Sequence, residues 1–188
     1  MIRFLDLYKI NQPFEKELAA AFQSVLNSGW YISGKWNEKF EKEFSEFCNV
    51  KHGIGVGNGY DALFIIFKGL IQLGKLCKGD EVLIPNNTFI ATVLAVKANG
   101  LVPVLVDVDV KTFNIDVTKI SSVISEHTKV ILPVHLYGQL CDMEGVVNLA
   151  NQFNLLIIED CAQAHGSERG GVKAGSFGLA GAFSFYPG

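Results

Sequence analysis

From residue 53 onward, short apolar runs alternate with amphipathic stretches of about a dozen residues, and no other feature narrows the fold as far. Val82-Leu83-Ile84-Pro85, Val102 to Val106, Val130 to Val134 and Leu155-Leu156-Ile157-Ile158 are continuous apolar runs, so they read as strands buried on both faces. Gly53 to Val56 reads as a short strand entering a glycine-rich turn, and Ala182-Phe183-Ser184-Phe185-Tyr186 as the last strand. Helices fall between them. One buries Ala62, Leu63, Ile66, Leu70 and Leu73; one runs from Ala91 to Asn99 and stops at Gly100. Asp116 caps a third carrying Ile120, Val123 and Ile124, and Met143 to Phe153 is a fourth. Strands separated by helices imply a mostly parallel sheet covered on both sides, an α/β fold.

Ahead of this pattern, Pro13 opens and Gly29 closes a helix with Phe14, Leu18, Ala21, Phe22 and Val25 on one face. A second amphipathic helix carries Trp36, Phe40, Phe44 and Phe47. The loop between them holds Trp30 and Tyr31, two aromatics that serve either as a lid or as a hydrophobic plug.

A formal net charge of -3 and a pI near 5.8 argue against a nucleic-acid or anionic-membrane surface. Hydrophobic residues make up 49% of the chain, yet no apolar run approaches membrane-spanning length. The opening residues lack the apolar core of a signal peptide, so a cytoplasmic location is expected. Cys48, Cys77, Cys141 and Cys161 form no C-x-x-C pair and read as buried or half-buried free thiols, with no metal site. The apolar excess points to surface covered by a partner subunit or by further chain.

The chemistry gathers at strand ends. The run Leu155 to Ile158 stops at Glu159-Asp160, followed by Gln163 and His165. Ligands of open α/β sheets sit at that position. Asp160 there either meets a cationic ligand group or, with Glu159, caps a turn. Gly57-Asn58-Gly59-Tyr60-Asp61-Ala62 suits a phosphate, since bare N–H groups and a helix N-terminus face the anion. It also matches the relaxed dinucleotide pattern G-x-G-x-x-A, but the next strand ends in Pro85-Asn86-Asn87 and Glu81 lies at its wrong end for a ribose. Asn86-Asn87-Thr88-Phe89, His135-Leu136-Tyr137-Gly138-Gln139 and Ser184 add polar groups at strand ends or on the last strand. Each has a structural alternative, as caps or a core imidazole. Their convergence at one edge of the sheet favours a binding site.

Taken in order, four motifs resemble the DegT/DnrJ/EryC1/StrS nucleotide-sugar aminotransferases, which use pyridoxal phosphate. They are Gly57 to Leu63, Pro85 to Thr92, Glu159 to Gly166 and Phe183 to Gly188. The resemblance runs from about residue 4 to the last residue and is closest to enzymes acting on dTDP-linked 3-keto-6-deoxyhexoses. It implies the aspartate-aminotransferase fold: three layers, α/β/α, around a mostly parallel mixed sheet, the large domain of the fold type I transferases. It further implies that the main-chain amides of Gly59 and Tyr60, with the Ser184 hydroxyl, hold the cofactor phosphate. Phe89 would stack on the pyridine ring, Asp160 would pair with the protonated ring nitrogen, and Gln163 would bond the phenolic oxygen. His165 would lie near the same ring, and Tyr31 and Tyr186 would touch the sugar nucleotide.

The family motif places the cofactor-binding lysine directly after the position of Gly188. Residues 1–188 are therefore expected to be the N-terminal part and most of the cofactor-binding large domain, with the small domain outside them and the sequence breaking off at a chemically modified lysine. The implied reaction moves an amino group from glutamate to C3 of a dTDP-3-keto-6-deoxyhexose, in a homodimer with shared sites. The same resemblance leaves room for a 4-keto-sugar aminotransferase, a UDP carrier, or a sugar dehydratase of the same family. Outside it stand an NAD-dependent dehydrogenase and a noncatalytic relative.

Overall fold

A computed structural model describes residues 4–186, so Pro187 and Gly188, the end of the last motif, lie outside the described residues. Two compact units divide the chain. One holds residues 4–46, 51–55 and Tyr186; the other holds Phe47–Val50 and Val56–Phe185.

The first unit is helical. Helix α1 (Leu7–Asn11), unanticipated from sequence, is capped by Asp6, whose carboxylate accepts the Lys9 N–H at 3.3 Å. A 3-10 turn, Gln12–Phe14, carries Pro13 into α2 (Glu15–Ser28), and Gly29 ends that helix in the left-handed region at φ 64°. The predicted apolar face of α2 is exposed, with Phe14, Leu18 and Phe22 all largely accessible. Helix α3 (Lys35–Cys48) stacks Phe40 on Phe44 with ring centroids 5.5 Å apart. The strand expected over Gly53 to Val56 does not form. Instead of a ladder partner, the Gly55 N–H finds the Glu41 carboxylate at 2.6 Å.

The second unit is a layered sheet. Helix α4 (Gly59–Gln72) precedes strand β1 (Glu81–Pro85), followed by α5 (Ile90–Ala98) and β2 (Val102–Val106). Next come α6 (Val117–Ile120), β3 (Thr128–Ile131), α7 (Met143–Phe153) and β4 (Leu156–Asp160). A two-residue hairpin, β5 (Glu168–Arg169) with β6 (Val172–Lys173), leads to β7 (Ala180–Ala182). The sheet order is β2-β1-β3-β4-β7, and each of its pairings is parallel.

Alternation along each strand sends successive side chains to opposite faces. Val82, Ile84, Val130, Leu132 and Ile158 therefore pack with Leu63, Phe67 and Leu70 of α4 and Ala95 and Val96 of α5. On the other face, Leu83, Val106, Ile131 and Ile157 pack with Ile120 of α6 and Met143, Val146 and Ala150 of α7. Leu83, Ile84, Ile131 and Ile158 are fully buried, each stabilising by about 1.5–3 kcal/mol.

Three expected boundaries move. Regular pairing in β3 stops at Ile131, since Pro133 has no N–H to give, and Val134 rejoins only as an isolated bridge to Asp160. The last strand is Ala180–Ala182, not Ala182 to Tyr186. Its neighbour β4 ends at Asp160, and the Cys161 N–H to the Ala182 carbonyl, 2.8 Å, closes the pairing. The helix capped by Asp116 shortens to α6 and a 3-10 turn, Ser121–Val123, leaving Ile124 extended. Among the cysteines, Cys77 is exposed, while Cys48, Cys141 and Cys161 are buried. Among the described residues no helix is long and apolar enough to cross a membrane.

Candidate active site

The N-terminus of α4 presents backbone N–H groups beside a hydroxyl-bearing residue. Asn58 caps it: its side-chain oxygen accepts the Asp61 N–H at 2.9 Å, and its amide donates to the Asp61 carboxylate at 2.9 Å. Asn58 and Asp61 thereby satisfy each other, and the N–H groups of Gly59 and Tyr60 have no acceptor among the described residues. Ser184 lies against this end. A Cβ on Gly59 would stand 2.9 Å from the Ser184 Cβ, so only glycine permits the approach. Two unspent helix N–H groups beside a hydroxyl form a phosphate-type donor set.

A buried carboxylate stands at the end of β4. Asp160 is 6% exposed. Its Oδ2 accepts the Thr92 hydroxyl at 2.8 Å and its Oδ1 the Ala162 N–H at 3.2 Å. Burial pushes its pKa above the ordinary aspartate value, opposed by those two hydrogen bonds. A cation held at this carboxylate would remove the desolvation cost of its charge.

Glu159 points into different surroundings. Its Oε1 accepts the N–H groups of Phe177 and Gly178, and its Oε2 accepts the Gly175 N–H, each at 2.8 Å. Oε2 also lies 3.0 Å from His135 Nε2. His135 Nδ1 accepts the Cys141 N–H at 3.2 Å, which places the ring proton on Nε2, donating to Glu159. Cys161 joins these two as a cluster of metal-ligand type. The acceptor sites of Glu159 and His135 are already spent on one another and on backbone, and burial pushes the Cys161 thiol well up. The cluster ties strands and loops together.

Gln163 is fixed from the neighbouring loop. Its side-chain oxygen accepts the Tyr137 N–H at 2.8 Å, which leaves the amide nitrogen as the half able to donate elsewhere. Tyr137 holds the left-handed region at φ 58° to make this bond. Asn114, 2% exposed, secures the same loop by accepting the Leu136 N–H and donating to the Gln139 carbonyl.

Phe89 precedes α5 and is 71% exposed. His165 meets the rings of Phe183 and Phe185 edge-on, at 5.3 and 4.8 Å between centroids. Burial lowers its pKa, and a backbone hydrogen bond with Ser184 works the other way. Gly59 is thus brought to Ser184, and His165 to the residues flanking Ser184. Tyr31 and Tyr186 belong to the first unit, where the Tyr31 hydroxyl donates to the Leu26 carbonyl at 3.2 Å and Tyr186 is exposed. Thr92 and Asn114 had no role assigned from sequence. Their signal is a polar residue inside an apolar pattern, which demands a partner.

A model of the DegT/DnrJ/EryC1/StrS aminotransferase family matches residues 12–188. The chain belongs to this family. Over 185 residues this aminotransferase-family chain is 50% identical to a dTDP-3-amino-3,6-dideoxy-alpha-D-galactopyranose transaminase of Aneurinibacillus thermoaerophilus, covering 98% of this chain and 50% of that one. The crystal structure of DesV from S. venezuelae superimposes with a TM-score of 0.91 at 41% identity, covering 99% of this chain and 49% of that one. NtdA of Bacillus subtilis, solved with bound cofactor PMP, matches with a TM-score of 0.82 at 39% identity, covering 93% and 39%. The chain spans about half the length of the curated relatives it matches first. Its α/β/α architecture is that of the fold type I transferases.

Proposed function

We propose that this chain is part of a pyridoxal-phosphate-dependent aminotransferase that moves an amino group from glutamate to a keto group of a nucleotide-linked deoxysugar, C3 of a dTDP-3-keto-6-deoxyhexose. One observation carries the reading. A single unit holds both a buried carboxylate at a strand end and an unspent pair of helix N–H groups beside a serine.

The residues fit the cofactor at both of its charged ends. The Gly59 and Tyr60 N–H groups and the Ser184 hydroxyl would bind the phosphate. Asp160 would keep the ring nitrogen protonated, since an opposite charge at hydrogen-bond distance favours both ionised forms. Pyridoxal phosphate supplies, when bound, the electron sink for a carbon that gives up its proton. Phe89 would cover one ring face, Gln163 would donate its amide N–H to the ring oxygen, and His165 would stand beside the ring. Tyr31 and Tyr186 would contact the sugar nucleotide, and the lysine would follow Gly188. Residues 1–188 would form most of the large domain of a cytoplasmic homodimer, completed by a small domain.

The choice of substrate rests on the 50% identical relative named for a dTDP-3-amino-3,6-dideoxyhexose. The test is to incubate the full-length protein with pyridoxal phosphate, glutamate and dTDP-linked 3-keto and 4-keto deoxysugars. A dTDP-3-amino sugar and 2-oxoglutarate are expected. Amination of the 4-keto sugar alone would move the substrate assignment, and no amino product from either would remove the aminotransferase reading.

A further inference from the structure

Thr92 lies on α5 with 1% of its surface exposed, and it does not spend its hydroxyl on its own helix. That hydroxyl donates to Asp160 Oδ2 at 2.8 Å, across 68 residues of chain. A second bond of 2.8 Å joins Thr92 Oγ1 to Thr88 Oγ1. A hydroxyl has one proton to give. Since Thr92 gives its proton to the carboxylate, Thr88 must be the donor in the second bond. The result is a directed relay from Thr88 through Thr92 to Asp160.

The relay has two geometric consequences. Asp160 is gripped at both oxygens, by Thr92 on Oδ2 and by the Ala162 N–H on Oδ1, so rotating the carboxyl group would break both bonds. Phe89 stands one helical turn before Thr92 and shares its backbone, the Thr92 N–H donating to the Phe89 carbonyl at 3.1 Å. Thr92 therefore meets the segment of the exposed aromatic through its backbone and the buried acid through its side chain. A valine would fill the space of Thr92 equally well, and packing alone gives no reason for the hydroxyl.

We propose that Thr92 is a positioning residue: it holds the Asp160 carboxylate charged and turned to meet a cationic ring nitrogen, with Thr88 orienting Thr92. This rests on the cofactor reading given above. Asp160 touches the ligand, and Thr92 acts only through it.

The experiment uses the full-length protein and pyridoxamine phosphate as probe, with binding read by quenching of protein fluorescence between about pH 6 and about pH 8.5. Thr92→Val keeps the shape and removes the donor; Thr92→Ser keeps the donor. Loss of one hydrogen bond to a charged group predicts about tenfold weaker binding of Thr92→Val at the acid end. Without the Thr92 bond the carboxylate takes up a proton more readily, so the gap should be widest there and close toward alkaline pH. Thr92→Ser should follow wild type throughout. Thr88→Val, at a half-buried site, should show the same pH-dependent loss in smaller measure, and it decides the matter if Thr92→Val does not fold. Pyridoxamine phosphate binding to wild type that is lost in Asp160→Asn, with Thr92→Val and Thr88→Val profiles overlying wild type or displaced equally at every pH, would overturn the role of Thr92 alone. Failure of wild type to bind the probe would overturn the cofactor reading and this inference with it.

Discussion

His135 Nε2 stands 3.0 Å from Glu159 Oε2, and neither side chain reaches solvent. The acceptor role of His135 Nδ1 toward the Cys141 N–H makes the imidazole a donor at Nε2, and the carboxylate gathers three further N–H groups from the loop before β7. Glu159 thus joins β4 to residues 175–178, from which the chain enters β7 on its way to Ser184. Glu159→Gln puts an NH2 among donors and strands at least one of them in the interior. A loss of about 3–5 kcal/mol is expected from breaking such a buried network, read from urea denaturation of wild type and variant. An unchanged midpoint would contradict the four-donor assignment.

Asp160 predicts a stability difference whose size depends on pH. Burial raises its pKa in the folded protein above the unfolded value. An ionised Asp160 therefore weighs against folding; the penalty is absent below the unfolded pKa and complete above the folded one. Asp160→Asn turns one of two accepting oxygens into an NH2, a cost that does not vary with pH. The test therefore lies in the slope: from acid to neutral pH, cofactor-free wild type should lose Tm relative to cofactor-free Asp160→Asn. Each kcal/mol should appear as about 2–4 °C in Tm for a chain of this size. Pyridoxal phosphate should raise the Tm of wild type more than that of the variant, because the variant cannot bind a pyridinium as an ion pair. A Tm difference between the cofactor-free proteins that stays constant from acid to neutral pH would sink this account.

Sequence reading reached α7 to the residue, because Met143 to Phe153 combines a helical apolar stripe with Asp142 as a cap, accepting the Gly145 N–H. It reached β4 and Asp160 because an acid at the end of a continuous apolar run is conspicuous. It missed the β5–β6 hairpin, where Gly170-Gly171 is a proper turn signal but the strands are too short to carry any alternation. Ala180–Ala182 was invisible as a strand for a related reason: small residues have no periodic pattern to show, and the aromatics just after them drew the boundary too late. Thr92 was missed for the opposite reason. A threonine in an apolar helix looks ordinary until the fold brings a carboxylate from 68 residues away to its hydroxyl.

The cysteines should separate cleanly by reactivity. Burial pushes the thiols of Cys48, Cys141 and Cys161 up, Cys141 to about 12, whereas Cys77 lies exposed. The thiolate is the reactive form, so the buried three are protected by both access and protonation. Brief native labelling with iodoacetamide at pH 8, followed by peptide mass mapping, should mark Cys77 and spare the other three; labelling in urea should mark all four. Early modification of Cys161 would show that the second unit opens around Glu159.

The close approach of Gly59 to Ser184 separates two ways of weakening the phosphate site. Ser184→Ala removes one donor and leaves the backbone where it is. The loss of a hydrogen bond to a charged group, about 1.5–3 kcal/mol, predicts pyridoxal phosphate binding weaker by roughly 10- to 150-fold. Gly59→Ala places a methyl group 2.9 Å from the Ser184 Cβ, nearer than such carbons normally come, so one of the two segments must move. That displacement disturbs the Gly59 and Tyr60 N–H groups as well as the hydroxyl, and it should cost more affinity than Ser184→Ala. In the double variant the alanine at 59 should still meet the Ser184→Ala Cβ, so removing the hydroxyl should add little to the Gly59→Ala loss. Equilibrium dialysis of the full-length variants against pyridoxal phosphate measures this directly. Losses that simply add would show that the two residues act independently, and that Gly59 is glycine for a reason other than its neighbour.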